Sequence, residues 1–332
     1  MNDFALAPYS HPTTICFLDD NESFLHSLDL ELPGTWAVRT FSDPLVALEF
    51  LSRPAEFPPL MDRCFSLQRQ EGARALIHLD LSLIEQEINH VQRFHRNSVV
   101  MVDYAMPAMD GLEFCAALKD PFIRKAMLTG VADEKLAVEA FNAGLIHRFI
   151  PKQTIDPVAV IRNFTIDLLH DYFNQYTARL KTTLAIDPPG FLIDPAVAGF
   201  VEALMQQHGL VEYYLVDDPP GLLMLKSNGE IWRVAILNDE DMTAQAEKAR
   251  RYEAPDKILD AMSSGNAIAF LAGNSPADYF GEEGFPWEEQ IQPASSIRGA
   301  SITWHVAIWK NAPGDVDFDP ATACYDAYLA SL

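Results

Sequence analysis

Between residues 13 and 155 five short runs rich in β-branched or aromatic residues alternate with helical patterns, and this alternation constrains the fold more than any other feature. Thr13–Leu18 reads as a strand. The acidic tip Asp19-Asp20-Asn21 follows, and then Phe24, Leu25, Leu28 and Leu32 recur at helical spacing. Trp36–Phe41, Ser98–Val102, Ala126–Leu128 and Ile146–Ile150 read as further strands, and Pro44–Leu51, Gly111–Leu118 and Glu134–Ala143 as the helices between them. Repeated βα units imply a doubly wound, five-stranded parallel sheet with helices on both faces.

The 332 residues suggest two domains, at about 150 residues each. With 49% hydrophobic and 21% charged residues the composition is globular, and no apolar run approaches the roughly 18 residues that span a bilayer. The start MNDFALAPYSHP lacks the basic and apolar segments of a signal peptide, and Cys16, Cys64, Cys115 and Cys324 form no spacing motif. A cytoplasmic protein without membrane partners is expected. Lys plus Arg number 24 against 47 Asp plus Glu, a net charge of −23. Residues 185–332 alone hold 8 basic and 23 acidic residues, so that half is not expected to bind nucleic acid.

Ligands of open α/β sheets bind at the carboxyl ends of the strands. There the alternation places Asp19 and Asp20 after the first strand, Asp103 after the third, Thr129 after the fourth and Lys152 after the fifth. Crowded carboxylates repel and call for a cation. Mg²⁺ suits them, because it takes a few carboxylate oxygens and leaves positions for water and phosphate. One carboxylate of such a site can accept a phosphoryl group as an acyl phosphate while the metal and a Lys offset its charge. Asp103, alone on the central strand, is the natural acceptor.

In LDDN (18–21), VDYAMPAMDG (102–111), LTG (128–130) and AGLIHRFIPK (143–152), the chain resembles the receiver domain of two-component response regulators, over about residues 13–155. The resemblance implies a flavodoxin-like receiver in which Asp19, Asp20, Asp103 and the backbone carbonyl of Ala105 hold Mg²⁺. It makes Asp103 the phospho-acceptor, Lys152 the site lysine, Thr129 the switch hydroxyl and Phe149 the switch aromatic. The implied partners are a histidine kinase or phosphotransfer protein and a downstream protein. Phosphotransfer and autodephosphorylation are the only chemistry it implies. The pattern departs from the family where Pro151 precedes Lys152 and Gln153 follows it, and in an insert at 54–97. Pro in the last strand is tolerable because the implied doubly wound order 2-1-3-4-5 places that strand on an edge. Met106-Pro107 and Gly111 are read as loop geometry.

The insert begins with Pro54, Pro58 and Pro59 and is read as ending in a helix, with a Ser82/Glu85 capping box and Leu81, Ile84, Ile88 and Val91 on one face. The domain reading is a receiver over 1–155 including this insert, a linker helix over 156–186, and an output domain over 187–332. In the linker, Leu169, Phe173, Tyr176, Leu180 and Leu184 follow the spacing of a packed seam, either against a neighbouring domain or in a homodimer through 156–184. Asp187-Pro188-Pro189-Gly190 marks its end.

The second half reads as α+β with a small antiparallel sheet. Its elements are a helix over 195–207, a meander of strands at 212–216, 222–225 and 230–237, helices near 242–251 and 255–263, and strands near 267–271 and 301–308. Asp239-Glu240-Asp241 is read as helix capping, Glu282-Glu283 and Glu288-Glu289 as a solvated loop, and His208 and His305 as isolated. No phosphate loop, nucleophile elbow or helix-turn-helix motif occurs, so the output is expected to act by protein contacts. Two rival readings are an enzymatic or nucleotide-binding output and a phosphatase with an aspartate nucleophile. The second would place another acid two residues after Asp103, where Ala105 stands.

Overall fold

A computed structural model describes residues 5–332 except 55–56, 59, 69–75, 81, 131–133, 153–155, 179–188, 272–286, 312–315 and 317. It divides into two compact units. One comprises Pro12–Pro59, Gln92–Ala178 and Ser331–Leu332, and the other Met1–His11, Leu60–Val91 and Arg179–Ala330. The chain opens with the two-residue strand β1 (Tyr9–Ser10), which pairs with a strand of the second unit.

The first unit contains β2 (Thr14–Leu18), α1 (Glu22–Glu31), β3 (Ala37–Phe41) and α2 (Pro44–Leu51). Asn21 caps α1 by accepting from Phe24 N, and Asp43 caps α2 ahead of Pro44. The chain then makes α3 (Leu60–Cys64), β4 (Phe65–Gln68), β5 (Leu76–Leu79) and α4 (Ser82–Glu85), all grouped with the second unit. The sequence reading keeps this insert with the receiver; here residues 60–91 cluster with the antiparallel unit instead.

The single helix read at the end of the insert is interrupted. A turn of α-helix over Ser82–Glu85 passes into 3₁₀ turns at Gln86–Asn89 and Val91–His95, separated by His90 in extended backbone (φ −103°, ψ 96°). Ser82 is not the cap, since the Asp80 carboxylate accepts from both the backbone N–H and the hydroxyl of Ser82. Ile84 and Ile88 are buried as read and Val91 half-buried, while Leu81 lies outside the described residues. Glu87, on the same stretch, is buried and paired with Arg63 of α3.

The first unit resumes with β6 (Asn97–Asp103), α5 (Gly111–Ala117), β7 (Arg124–Thr129), α6 (Glu134–Asn142), β8 (Arg148–Pro151) and α7 (Pro157–Tyr176). All neighbouring strands are parallel and the order is β3-β2-β6-β7-β8, the expected 2-1-3-4-5, with Pro151 ending the edge strand. Alternate strand residues feed two cores. Cys16, Leu18, Val100, Val102 and Met127 face α2, α5 and α6, while Ile15, Phe17, Val99, Met101 and Leu128 face α1 and α7. Helices on both faces explain why these strands are apolar throughout.

The seam read along the linker covers only part of the buried face of α7. The buried positions of α7 are Ile161, Thr165, Leu168, Tyr172, Phe173 and Tyr176, and Leu169 is half-buried. Phe173 and Tyr176 are thus buried as read, and Tyr176 stacks on Tyr172 and meets the edge of Phe122. Leu180, Leu184 and Asp187-Pro188 lie outside the described residues.

The second unit is built on a six-stranded sheet, β1-β9-β10-β11-β15-β14, with all pairs antiparallel. Its meander is β9 (Leu210–Asp217), β10 (Pro220–Lys226) and β11 (Ile231–Leu237), preceded by the helix Pro195–His208. The helices Asp239–Arg251 and Asp256–Ser263 and the strand β12 (Ala267–Ala269) follow. The acidic, Pro-containing connection also holds structure the sequence did not disclose: a short helix Trp287–Gln290, β13 (Ile291–Pro293) paired with β12, and β14 (Ser295–Arg298) paired with β15 (Thr303–Trp309). Glu288 and Glu289 are exposed on that helix, and Glu282-Glu283 lie outside the described residues. Asp239-Glu240-Asp241 form a first helical turn, with Asn238 and Asp241 closing a capping box. His208 lies 4.9 Å from the Trp232 ring, and His305 is not isolated: its Nε2 lies 2.8 Å from Asp239 Oδ1. Among the described residues no helix is long and apolar enough to cross a membrane.

Candidate functional site

The carboxyl ends of β2, β6, β7 and β8 lie on one side because the strands run parallel, and each delivers the residue its sequence position implies. Asp19 leaves β2 with its backbone N–H donated to Phe41 O of β3 (3.1 Å). Its Oδ1 accepts from Asn21 N at 3.0 Å, which turns the chain into α1 and aims the carboxylate along the rim. Asp103 ends the central strand. The following residue ties the loop to the next strand through Tyr104 N donating to Leu128 O (3.1 Å), and Gly111 N returns to Tyr104 O (3.0 Å). The Gly111 backbone therefore lies against that of Asp103, and α5 starts there under an Asp110/Glu113 capping box.

Carboxylate oxygens of Asp19, Asp20 and Asp103 all lie within 4.8 Å of one another. Asp19 and Asp103 are buried and Asp20 is exposed, which leaves the cluster open on one side. Lys152 places its Nζ 2.6 Å from Asp19 Oδ2 and 2.7 Å from Asp103 Oδ1. Its backbone is fixed by N–H donation to Thr129 O at 2.9 Å. Burial raises the Asp103 carboxyl above its ordinary range. The Lys152 hydrogen bond and charge oppose that rise, and the neighbouring Asp19 reinforces it. Burial of Lys152 works to lower its ammonium, but the hydrogen bonds and charges of Asp103 and Asp19 outweigh it and the net shift is upward.

Thr129 ends β7 fully buried, and its Oγ1 has no hydrogen-bond partner among the described residues. An orphaned hydroxyl of this kind is uncommon in a folded interior and marks a position where a polar ligand atom can complete the pairing. Phe149, on β8, is half-buried against the core beneath α5 and α6. Ala105 sits exposed on the loop two residues beyond Asp103. Three clustered carboxylates are a donor set that fits a hard divalent cation keeping some of its waters. Asp19, Asp20, Asp103 and Lys152 are therefore brought together.

One neighbour was not identified from the sequence. The ring of Phe24, read only as an apolar helix position, lies with its centroid 5.0 Å from Lys152 Nζ. Nothing in a single Phe at helical spacing signals a partner 128 positions away.

The solved structure of the Legionella pneumophila response regulator LqsR is 31% identical to this chain, with 99% of this chain and 97% of that one covered and a TM-score of 0.79. A response regulator receiver domain protein from Clostridium thermocellum is 17% identical, covering 50% of this chain and 98% of its own, with a TM-score of 0.31. A CheY-like receiver domain protein from Methanospirillum hungatei JF-1 is 18% identical over 48% of this chain and 96% of its own, with a TM-score of 0.31. No protein-family model and no curated protein matches the sequence.

Proposed function

Because the chain belongs to the response regulators, we propose that Asp103 accepts a phosphoryl group from the phosphohistidine of a histidine kinase or phosphotransfer protein. Mg²⁺ would be held by Asp19, Asp20, Asp103 and the backbone carbonyl of Ala105. The observation that carries this reading is the convergence of three carboxylates at the carboxyl edge of the parallel sheet, two of them paired with one ammonium. When bound, the metal supplies positive charge that offsets the carboxylates and the transferring phosphoryl oxygens.

The chain's own residues do the rest. An Asp103 carboxylate oxygen forms the new bond to phosphorus as the phosphorus–nitrogen bond of the donor breaks and its electron pair returns to the imidazole. Lys152, already between Asp19 and Asp103, offsets charge on the incoming group. The buried Thr129 hydroxyl gains a phosphoryl oxygen as its missing partner, and its movement makes room for Phe149 to turn inward. The downstream step runs through protein contacts. Residues 185–332 hold 8 basic and 23 acidic residues, too few cations to displace the counterions of a duplex.

Incubating the full chain with acetyl phosphate and Mg²⁺ tests the first step. One phosphoryl group should be incorporated on the peptide containing Asp103 and none in Asp103→Asn; undiminished incorporation in that variant would reject Asp103 as acceptor. Tight, salt-sensitive retention of duplex DNA by the full chain would overturn the protein-contact reading.

A further inference from the structure

Among the described residues, three groups surround the Lys152 ammonium. Two are the carboxylates of Asp19 (2.6 Å) and Asp103 (2.7 Å), and the third is the ring of Phe24, centred 5.0 Å away. That distance is within the roughly 6 Å over which an aromatic face attracts a cation. Phe24 is held at its backbone and at its side chain. The Phe24 N–H donates to Asn21 Oδ1 at 3.1 Å in the cap of α1, and the side chain packs half-buried against the core that also contains Leu25 and Leu28. Cap, acidic pair and ring therefore belong to one local unit, since Asn21 also donates its backbone N–H to Asp19.

We propose that Phe24 is a positioning residue for the phosphotransfer reaction, its ring face keeping the Lys152 ammonium inside the acidic rim when a divalent cation engages the carboxylates. The inference rests on the phosphotransfer reading above. A metal bound by Asp19 and Asp103 draws on the same carboxyl groups that hold Lys152, and its charge repels the ammonium. Both ion pairs weaken together. A long, four-bond side chain that is already partly exposed would then move outward to water. The Phe24 ring offers the metal no lone pair and carries no formal charge, so its attraction for the ammonium persists. Lys152 then stays beside the position where phosphoryl charge develops.

The test compares incorporation of phosphate from acetyl phosphate with Mg²⁺ in full-length variants. Phe24→Leu keeps an apolar side chain but removes the aromatic face, and should slow incorporation about threefold, the size expected of one partly exposed cation–π contact. Phe24→Tyr should label at close to the parental rate. Because Phe24→Leu also alters packing of α1, a double-mutant cycle in the metal-free protein separates the effects. Phe24→Leu should lower the melting temperature more in the parent than in a Lys152→Met background. Equal drops in both backgrounds, or parental labelling by Phe24→Leu, would overturn the positioning role. A parent that takes no label at all would overturn the phosphotransfer reading and this role with it.

Discussion

A β-carbon placed on Gly111 would come within 2.5 Å of the backbone carbonyl oxygen of Asp103 and 3.1 Å of the Tyr104 α-carbon. The loop after the acidic strand thus closes on the backbone of the strand's last residue, and neither atom can yield without carrying the Asp103 side chain along. Gly111→Ala should cost about 1–3 kcal/mol, the usual range for overpacking. Thermal unfolding and phosphate incorporation should both fall. A variant equal to the parent in both would show that the loop relaxes away from Asp103.

Asp103→Asn should make the metal-free protein more stable at neutral pH. Burial holds the Asp103 carboxyl above its ordinary range, so the folded state prefers the protonated form. Its contribution to stability is full below the ordinary carboxylate range and is lost as pH rises through the raised value. At pH 7 the ionised group destabilises the fold, and a neutral amide of the same shape removes that cost. The melting temperature should rise by about 2–4 °C for each kcal/mol recovered, and the gain should shrink in acid. A lower melting temperature at pH 7 would mean that the ion pair with Lys152 outweighs burial.

His147 sets an acid limit on the parallel-sheet unit. Its Nδ1 accepts from Lys125 N at 3.0 Å, and burial, with Arg124 and Lys125 nearby, lowers its pKa from 6.5 to about 4. The folded state therefore resists a proton that the unfolded chain accepts. Stability from this group is full above pH 6.5 and declines as pH falls toward about 4. One proton corresponds to about 1.4 kcal/mol per pH unit over that interval. His147→Asn keeps an acceptor near the Lys125 N–H, and should flatten the pH dependence of unfolding by this amount. An unchanged slope between pH 7 and pH 4.5, on the scale of about one proton, would remove His147 from the account.

Leu168 and Ile166 stand two residues apart on α7 with opposite environments, Leu168 fully buried against the sheet and Ile166 55% exposed. Leu168→Ala should destabilise by about 2–5 kcal/mol, and Ile166→Ala by well under 1 kcal/mol. Denaturant midpoints measured on the full chain distinguish them. Equal costs would place the helix elsewhere than on its own sheet.

Much of the site was legible because parallel strands leave little freedom. Once Thr14–Leu18, Asn97–Asp103, Arg124–Thr129 and Arg148–Pro151 run in the same direction, Asp19, Asp103, Thr129 and Lys152 must emerge on one edge. Local capping is only partly legible. The acidic run Asp239-Glu240-Asp241 announces a helix start and forms one, whereas Ser82 with Glu85 matches the box pattern without capping, and the caps at Asp43 and Asp110 emerge only in the structure.

By itself, then, the amino-acid sequence determined the βα alternation, the acidic rim and the antiparallel meander, all of which follow from short-range periodicity and strand polarity. Only the tertiary structure decided which partners distant segments took. Tyr9 and Ser10 are too few to register as a strand until β9 supplies Tyr214 and Tyr213 opposite them. Residues 60–91 interrupt one sheet yet cluster with the other unit, and Asp239 meets His305 across 66 positions. Along α7, a residue's burial depends on the azimuth at which the helix meets the sheet, and 4-3-4 spacing fits Leu169 as well as Leu168. Phe24 and Lys152 belong to the same class. Their contact is a property of where α1 begins and β8 ends on the finished sheet, and no local pattern encodes that distance.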